Sequence, residues 1–412
     1  MRLLALSRAR LVIAAAVVLV AAGAVSAAVA LRGGGEPSHQ GHAAHVGSAA
    51  NPHPVAGHFK PDDTDLAECT AGGEGRCYEQ AFGNLSYEKG PREAIAEFDR
   101  AMETNKAVEA DCHRIVHTIG SAALARFHGN VAKAFALGSA SCWSGYYHGI
   151  LERAFTGVSG IEELGEAARR ICDDPGIRRT TFLAYQCVHG LGHGLMIRSG
   201  YDLPFSLSIC DRLATEWDQT SCTGGVFMEN ISSTYGVKSK WLRDDDPVYP
   251  CQVVKERHKL YCYLMVTSRV SQLNGYEWRK TAEVCRRVER DWVATCFESY
   301  GRDASGFTRQ SPPEVARLCR FAGEHAVSCV YGAARDMTSN YANGRRASEL
   351  CRLVARSLRP RCYYGIGTIL GNLSASEQGR RRSCRSVTPR PYLASCLAGA
   401  GVRVAGVVQS PA

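Results

Sequence analysis

Hydrophobic positions divide the chain into three parts, of which the first is a continuous apolar run. Residues 11–31, LVIAAAVVLVAAGAVSAAVAL, carry no charge, and three arginines precede them. About 20 apolar residues span a bilayer, and positive charge before such a run keeps that end in the cytoplasm. Residues 1–32 are therefore predicted to be a transmembrane signal anchor, with the remaining chain extracytoplasmic. The AVA sequence at residues 28–30 leaves cleavage and secretion as the alternative.

The second part, residues 33–68, shows no hydrophobic periodicity. It is rich in Gly, Pro, Ala and His, a composition typical of a flexible linker. Two interpretations of its histidines stay open: an accident of composition in a tether, and a loose metal-capturing tail. The histidines concerned are His39, His42, His45, His53 and His58.

In the third part, residues 69–400, strand signals are few and an all-α domain is predicted. The stretches AEVCRRVERDWVATCFESYGRD, ARLCRFAGEHAVSCVYGAARD and SELCRLVARSLRPRCYYGIGTI match one another. Each reads as the end of one helix, a short turn, and a second helix that opens with cysteine. The pattern returns roughly every 33–40 residues, which is the period of helical-hairpin arrays.

This architecture resembles the α-solenoids built from tetratricopeptide or Sel1 repeats, and GPREAIAEFDRAMETN at residues 90–105 resembles half of a tetratricopeptide hairpin. The resemblance implies a right-handed superhelix of about nine or ten hairpins over residues 69–400. Residues 401–412 are predicted to be a disordered tail.

Eighteen cysteines, an even number in a chain expected to be exported, predict disulfide bonds. Seven pairs at short spacing are expected to staple the two helices of a hairpin, and Cys69 with Cys77 to close a short cap. Cys112 and Cys142 lack a partner within a hairpin and can pair with each other across neighbouring repeats. The hairpin pairs are Cys172 with Cys187, Cys210 with Cys222, Cys251 with Cys262, Cys285 with Cys296, Cys319 with Cys329, Cys351 with Cys362, and Cys384 with Cys396.

Charge and motif content exclude several classes of function. The net charge of +9 over 412 residues comes without a compact basic motif, so no nucleic-acid partner is expected. The sequence contains no C-x-x-C, which argues against a thioredoxin motif, covalent haem attachment and a zinc ribbon. It also lacks H-E-x-x-H, G-x-S-x-G and the Walker A motif.

Histidines recur in register with the early cysteines. The second helices of the early hairpins read CHRIVHTIG (residues 112–120), CWSGYYHGILE (142–152), CVHGLGHGLM (187–196) and CTGGVFMEN (222–230). Positions four apart share a helix face, and equivalent positions of stacked repeats line one wall. Imidazole is a common ligand of copper, iron and zinc, so a transition-metal site is predicted, with hydrogen-bonded core histidines as the alternative. The predicted ligands are His113, His117, His148, His189 and His193, with Glu152 and Glu229 as ligand or general base.

Glycines surround these histidines, and each costs about 1 kcal/mol in a helix relative to alanine. They are explained either by close packing between helices or by close approach of a ligand; packing is the simpler interpretation. They are Gly145, Gly149, Gly190, Gly192, Gly194, Gly224 and Gly225.

In the later hairpins the register of the histidines carries Ser268, Arg302, Arg335 and Thr368 instead. Arg269, Arg302 and Arg335 form a second pattern. One interpretation is a ladder of Arg–Asp ion pairs that stabilises the stack. The other is a substrate-binding grip on a carboxylate, which the arginine fork fits in bidentate fashion. His128, His258 and His325 have no partners in the sequence pattern and are assigned structural or surface roles.

Two functions from different classes follow. The first is a membrane-anchored copper or iron oxidoreductase, with zinc possible, whose histidines lie on the inner wall of the early repeats. In architecture this resembles deoxyhypusine hydroxylase, where histidine and glutamate from successive helical repeats hold two irons, although this chain lacks that family's adjacent His-Glu pairs. The second is a non-catalytic scaffold that binds a peptide or protein partner on its concave surface.

Overall fold

A computed structural model describes residues 58–69, 75–156, 158, 161–233 and 238–403. Within those ranges the protein consists of 20 α-helices joined by turns and short 3-10 segments, with no β-strand. The prediction of an all-α domain is confirmed. The predicted anchor, the linker histidines other than the exposed His58, and most of the predicted tail lie outside the described residues.

The helices of the first half carry all five predicted histidine ligands. They are α1 Gly75–Glu88, α2 Pro91–Thr104, α3 Lys106–Ala110, α4 Cys112–Arg126, α5 Val131–Phe135, α6 Gly145–Ala154, α7 Ile161–Cys172, α8 Thr181–Arg198, α9 Leu203–Cys210 and α10 Glu216–Ile231.

The helices of the second half follow the stapled-hairpin pattern most regularly. They are α11 Glu256–Met265, α12 Thr267–Leu273, α13 Trp278–Arg287, α14 Val293–Phe307, α15 Pro312–Cys319, α16 Ala326–Asn340, α17 Arg345–Leu353, α18 Arg359–Leu373, α19 Glu377–Val387 and α20 Leu393–Gly399.

Local signals explain where these helices begin. Thr180 caps α8 by accepting a hydrogen bond from the backbone of Leu183, and Thr215 caps α10 in the same way through Asp218. Proline stands at the start of α15, where its missing N–H and fixed φ cost nothing.

All eighteen cysteines form nine disulfides, and the pairing is the one that the spacing predicts. Cys69 bonds Cys77 in the N-terminal cap, and Cys112 bonds Cys142, which joins the start of α4 to the turn before α6. Nine disulfides indicate an oxidising, extracytoplasmic environment.

The seven hairpin disulfides share one geometry. Each spans a sequence separation of 10 to 15 residues, with Cα atoms 5.4 to 5.8 Å apart. Six join the two helices of a hairpin, whereas Cys251 lies in a turn before α11. The bonded pairs are Cys172 with Cys187, Cys210 with Cys222, Cys251 with Cys262, Cys285 with Cys296, Cys319 with Cys329, Cys351 with Cys362, and Cys384 with Cys396. The staples predicted from the sequence are confirmed.

Two layers organise the helices. Ten helices contact one another in chain order and are called the inner helices: α1, α4, α6, α8, α10, α11, α14, α16, α18 and α20. Most first cysteines of the pairs lie at the ends of outer helices that pack behind them. The residue after the second cysteine is buried in successive hairpins, as at Tyr263, Phe297 and Tyr363, so the core lies between the layers.

The inner helices curve far enough for early and late parts of the chain to meet. Trp143 Nε1 donates a hydrogen bond to Asp336 Oδ1 at 2.8 Å, across 193 residues of sequence. The 3-10 turn Cys142–Ser144 also contacts α16, and α8 contacts α18. The inner helices therefore bring early and late parts of the chain together around a partly open cavity.

The N-terminal end of the described domain extends beyond the predicted limit. Phe59 is buried and packs against Gly83 of α1, and Asp62 exchanges hydrogen bonds with Asn84. Residues 58–68, expected in the linker, are thus ordered against the first helix. No helix within the described residues combines the length and the hydrophobicity required to cross a membrane.

Candidate metal centre

Three inner helices bring the predicted ligands together. α4 supplies His113 and His117, α6 supplies His148, and α8 supplies His189 and His193. All five side chains are buried, with exposed fractions of 8% or less. Histidines of separate hairpins thus lie in one place, as their common register predicted.

Glycine allows these helices to approach so closely. A Cβ on Gly149 of α6 would lie 1.8 Å from the carbonyl oxygen of His117, and one on Gly192 of α8 would lie 2.1 Å from that of Cys222. These two glycines serve backbone contact between helices. Gly145 differs, because a Cβ there would meet the rings of His117 and His113 within 3.0 Å. The packing interpretation holds for the first two, whereas Gly145 makes room for ligands.

The five histidines form two triads that share one member. His113, His117 and His148 place one ring nitrogen each within 4.8 Å of the others, and so do His148, His189 and His193. The ring centroid of His148 lies 4.8 Å from that of His193 and 5.4 Å from that of His117. His148 therefore occupies the centre of the cluster.

Two buried carboxylates stand behind the cluster. Glu229 Oε2 lies 3.0 Å from His193 Nδ1, and Tyr201 donates its hydroxyl hydrogen to Glu229 Oε1 at 2.8 Å. Glu152 Oε1 lies 2.8 Å from His117 Nδ1. The angle is too bent for a hydrogen bond, so the contact is electrostatic. A carboxylate at Nδ1 leaves Nε2 facing away from it, the arrangement that orients metal-binding histidines.

Nδ1 of the other two outer histidines is also engaged. His113 Nδ1 lies 3.0 Å from the carbonyl oxygen of Cys142, and His189 Nδ1 lies 3.4 Å from the Tyr185 hydroxyl. A carbonyl oxygen can only accept, so Nδ1 of His113 carries the hydrogen. Its Nε2 must then present a lone pair.

The inner nitrogens of the first triad lie close together. His113 Nε2 lies 3.1 Å from His117 Nε2. The contact of His117 Nδ1 with Glu152 is not a hydrogen bond, so His117 is free to carry its hydrogen on Nε2 and donate it to His113 Nε2. Neither nitrogen of His148 nor Nε2 of His193 has a hydrogen-bond partner among the described residues. Buried polar atoms without partners cost free energy, and a cation among them relieves that cost.

Burial favours the neutral form of two of the rings, His148 and His189. Burial, with His193 and His189 nearby, lowers the pKa of His148 well below its usual range. Burial and the neighbouring His193 lower the pKa of His189 to about 3. Neutral imidazole is the form that binds metal, so at pH 7 these two rings do not have to lose a proton before a metal ion binds.

A strained turn positions part of the site. Cys142, Trp143 and Ser144 have φ of 47°, 53° and 62°, left-handed values that non-glycine residues seldom adopt. The turn presents the carbonyl of Cys142 to His113 and directs the Trp143 ring toward Asp336. Such strain persists only where surrounding contacts impose it, and here they include the disulfide of Cys142 with Cys112.

The cluster adjoins a cavity of about 400 Å³, which is within the size range of small-molecule sites. His148 and His189 line it, so the second triad faces the cavity and the first lies deeper. The remaining wall comes from successive inner helices and is mainly aromatic and aliphatic, including Trp143, Phe182, Tyr185, Trp217, Met228, Tyr261, Leu264, Met265, Ile369 and Leu373.

The three predicted substrate arginines differ in their surroundings. Arg269 pairs with Asp244, and Arg302 lies 2.7 Å from Asp303. These two fit the ion-pair interpretation. Arg335 lines the cavity and has no ion-pair or hydrogen-bond partner among the described residues. Only Arg335 therefore remains a candidate for binding the carboxylate of a substrate.

The three histidines without partners in the sequence pattern lie outside the cluster. His258 is buried and contacts Asp211 at 2.8 Å, His325 stacks on Phe297, and His128 is exposed. Sequence reasoning missed Tyr185 and Trp143. Tyr185 precedes His189 by one turn and Trp143 follows Cys142, so their register relative to the histidines was a usable signal.

Comparisons of the chain with protein-family models, with curated proteins and with solved structures find no match.

Proposed function

We propose that this protein is an extracytoplasmic metalloprotein whose five histidines hold two transition-metal ions, one in each triad, with His148 shared. The observation that carries the proposal is the pair of buried triads, in each of which three ring nitrogens lie within 4.8 Å of one another. A core packed for stability alone has no need of five imidazoles in one buried place. Both ring nitrogens of His148 lack partners among the described residues, so one nitrogen can serve each ion.

The donor set favours a particular group of metals. Imidazole nitrogen suits copper, iron and zinc, whereas calcium and magnesium prefer oxygen. Two divalent ions bring four positive charges into a buried region. Glu152 and Glu229, each 5% exposed or less, supply two negative charges directly behind the ligands. We therefore assign these glutamates to orienting the histidines and balancing charge, not to general-base catalysis.

The surroundings favour catalysis. Three protein ligands leave a coordination position open, as in catalytic metal sites. The second triad faces a cavity that substrate can occupy, and the stacked Tyr185 and His189 rings lie at the boundary. With copper or iron bound, the centre would supply electron transfer to or from that substrate. The proposed reaction class is accordingly copper- or iron-dependent oxidation and reduction.

The wider setting completes the proposal. Residues 1–32 anchor the chain in the membrane, and the disulfide-stapled hairpins are repeats of one solenoid that closes on itself. A partner-binding scaffold is the weaker candidate, because a cavity of about 400 Å³ accommodates a small molecule and not a protein segment.

The test is metal stoichiometry. The full chain is expressed with its N-terminal segment in an oxidising compartment, purified in mild detergent without a chelator, and analysed by elemental mass spectrometry. We expect two copper, iron or zinc ions per chain, and less than one after His148→Ala. The matched control is His258→Ala, which removes a buried, carboxylate-paired histidine outside the cluster and should leave two ions bound.

Three results would contradict the proposal. A chain that takes up no metal on titration would make the cluster structural, and a single ion would refute the shared arrangement. Unchanged stoichiometry in His148→Ala would remove the central role of that residue. Oxygen consumption by the loaded protein with an organic electron donor, compared with His148→Ala, then tests the oxidoreductase assignment.

A further inference from the structure

The cavity beside the second triad has a wall suited to a flat organic body. Trp143, Tyr185, Trp217 and Tyr261 line it together with aliphatic side chains. Aromatic walls bind planar groups by stacking and edge contacts, which add to the gain from burial. The wall thus favours an aromatic ligand.

Charged groups in the cavity are mostly engaged with protein partners. Arg302 contacts Asp303 at 2.7 Å. Both oxygens of Asp336 accept hydrogen bonds, from Trp143 at 2.8 Å and from Gln310 at 3.0 Å. Arg302 and Asp336 therefore already have ion-pair or hydrogen-bond partners within the protein.

Glu298 is the remaining acid of the wall. It lies 3.8 Å from Arg361, which stands outside the cavity. It acts on Arg335 only from beyond ion-pair distance. Glu298 therefore favours the charged form of Arg335 through space but forms no ion pair with it.

Arg335 is the exception. Its Nε is fully buried without an acceptor, and no carboxylate of the described residues lies within ion-pair distance of its guanidinium. Arg335 is partly exposed and makes a cation–π contact with the Tyr331 ring, whose centroid lies 5.3 Å away. Its guanidinium still has no direct ion-pair partner, and it presents a fork of donors that matches a carboxylate. An anion that enters the cavity would supply such a partner.

We infer that the cavity binds a small aromatic carboxylate, with the carboxylate on Arg335 and the ring between the aromatic side chains, directed toward His148 and His189. The inference rests on the proposed function only in making this molecule the substrate of the metal centre. Its binding site stands on the cavity and on Arg335.

The experiment measures binding of 3-phenylpropanoate and of its neutral amide by calorimetry, to the full chain with and without metal. We expect wild-type protein to prefer the carboxylate. Arg335→Gln should bind it about 10- to 100-fold more weakly and lose the preference over the amide, because a hydrogen-bonded charge contact is removed. Arg335→Lys keeps the charge without the fork and should fall between the two.

Arg320→Gln is the matched control, since it removes the same charge from an exposed position outside the cavity. It should bind as wild type does. Unfolding curves of each variant establish that the fold is intact. Comparing the carboxylate with the amide, and Arg335→Gln with Arg320→Gln, separates the contact between Arg335 and the ligand carboxylate from general effects of net charge.

The outcomes separate the two proposals. Carboxylate binding that depends on Arg335, in protein that never takes up metal, would support this inference and refute the metal centre. Normal metal content with no carboxylate binding, or with binding that Arg335→Gln leaves unchanged, would overturn this inference alone. Binding that appears only with metal and ignores Arg335 would place the carboxylate on the metal and would also overturn it.

Discussion

The closest helix crossing in the site offers a sharp test of the architecture. Gly149→Ala adds one methyl group to α6, at a point 1.8 Å from the carbonyl oxygen of His117 on α4. Real Cβ atoms do not approach nearer than 3.0 Å, so the helices must separate by about 3.0 − 1.8 = 1.2 Å. The atom met is backbone, which has no rotamer to change.

Separation has an energetic cost. Overpacking of this kind destabilises a core by about 1–3 kcal/mol. Alanine is better than glycine within a helix by about 1 kcal/mol, which offsets part of that cost. We therefore expect the free energy of unfolding to fall by about 1–2 kcal/mol net, measured by denaturant titration.

Metal binding should suffer more than stability. His117 lies on one side of the crossing and His148 directly precedes Gly149 on the other. A displacement of about 1.2 Å is several times the roughly 0.2 Å tolerance of metal–ligand distances. The first triad should lose its ion, which elemental analysis would register as one ion fewer per chain.

The control is Gly165→Ala in α7, where the nearest atom to the added Cβ is a methyl group of Ile209 at 3.3 Å. A side-chain methyl can yield, so stability and metal content should stay near wild type. If Gly149→Ala likewise kept its full metal content and stability, the close crossing of α4 and α6, and the ligand geometry that depends on it, would be refuted.

Three further predictions concern the support of the site. Glu229→Gln should weaken metal binding about 10- to 100-fold while the protein stays folded, because His193 loses its orienting carboxylate; unchanged affinity in competition with a chelator would contradict this. Replacing Cys112 and Cys142 together by Ala opens a loop with a sequence separation of 30 and should lower the free energy of unfolding by about 3.6 kcal/mol; a loss near zero would show that the bond contributes little. Burial raises the pKa of Asp336 from 3.8 to about 6, so the folded state holds the proton more tightly and stability falls as pH rises between those values. The difference in unfolding free energy between wild type and Asp336→Asn should fall by up to about 3 kcal/mol over that range, and a flat difference would refute the assignment.

The sequence alone predicted the features that depend on local spacing. A cysteine near the end of one helix and another near the start of the next, as at Cys285 and Cys296, must meet when a short turn joins the helices. Histidines four apart, as in His189 and His193, must share a face because of the helical repeat. The helices, the nine disulfides and the common register of the ligands could therefore be predicted.

What the sequence left open was decided by contacts between remote helices. Packing and ligand approach both explain the glycines until the partner backbone is located, and only then does Gly149 separate from Gly145. Arg302 and Arg335 share a sequence register and both line the cavity, yet only Arg302 forms an ion pair, with Asp303. No local rule distinguishes them, because the difference depends on which groups the neighbouring helices present.

The cavity is the clearest case of such a decision. Residues from early and late helices line it, and the hydrogen bond from Trp143 to Asp336 joins two of them across 193 positions. Which helices meet depends on how each hairpin packs on its neighbours, and so on the side-chain volumes at every interface. The cysteine pattern predicts the hairpins, whereas the cavity exists only in the tertiary structure.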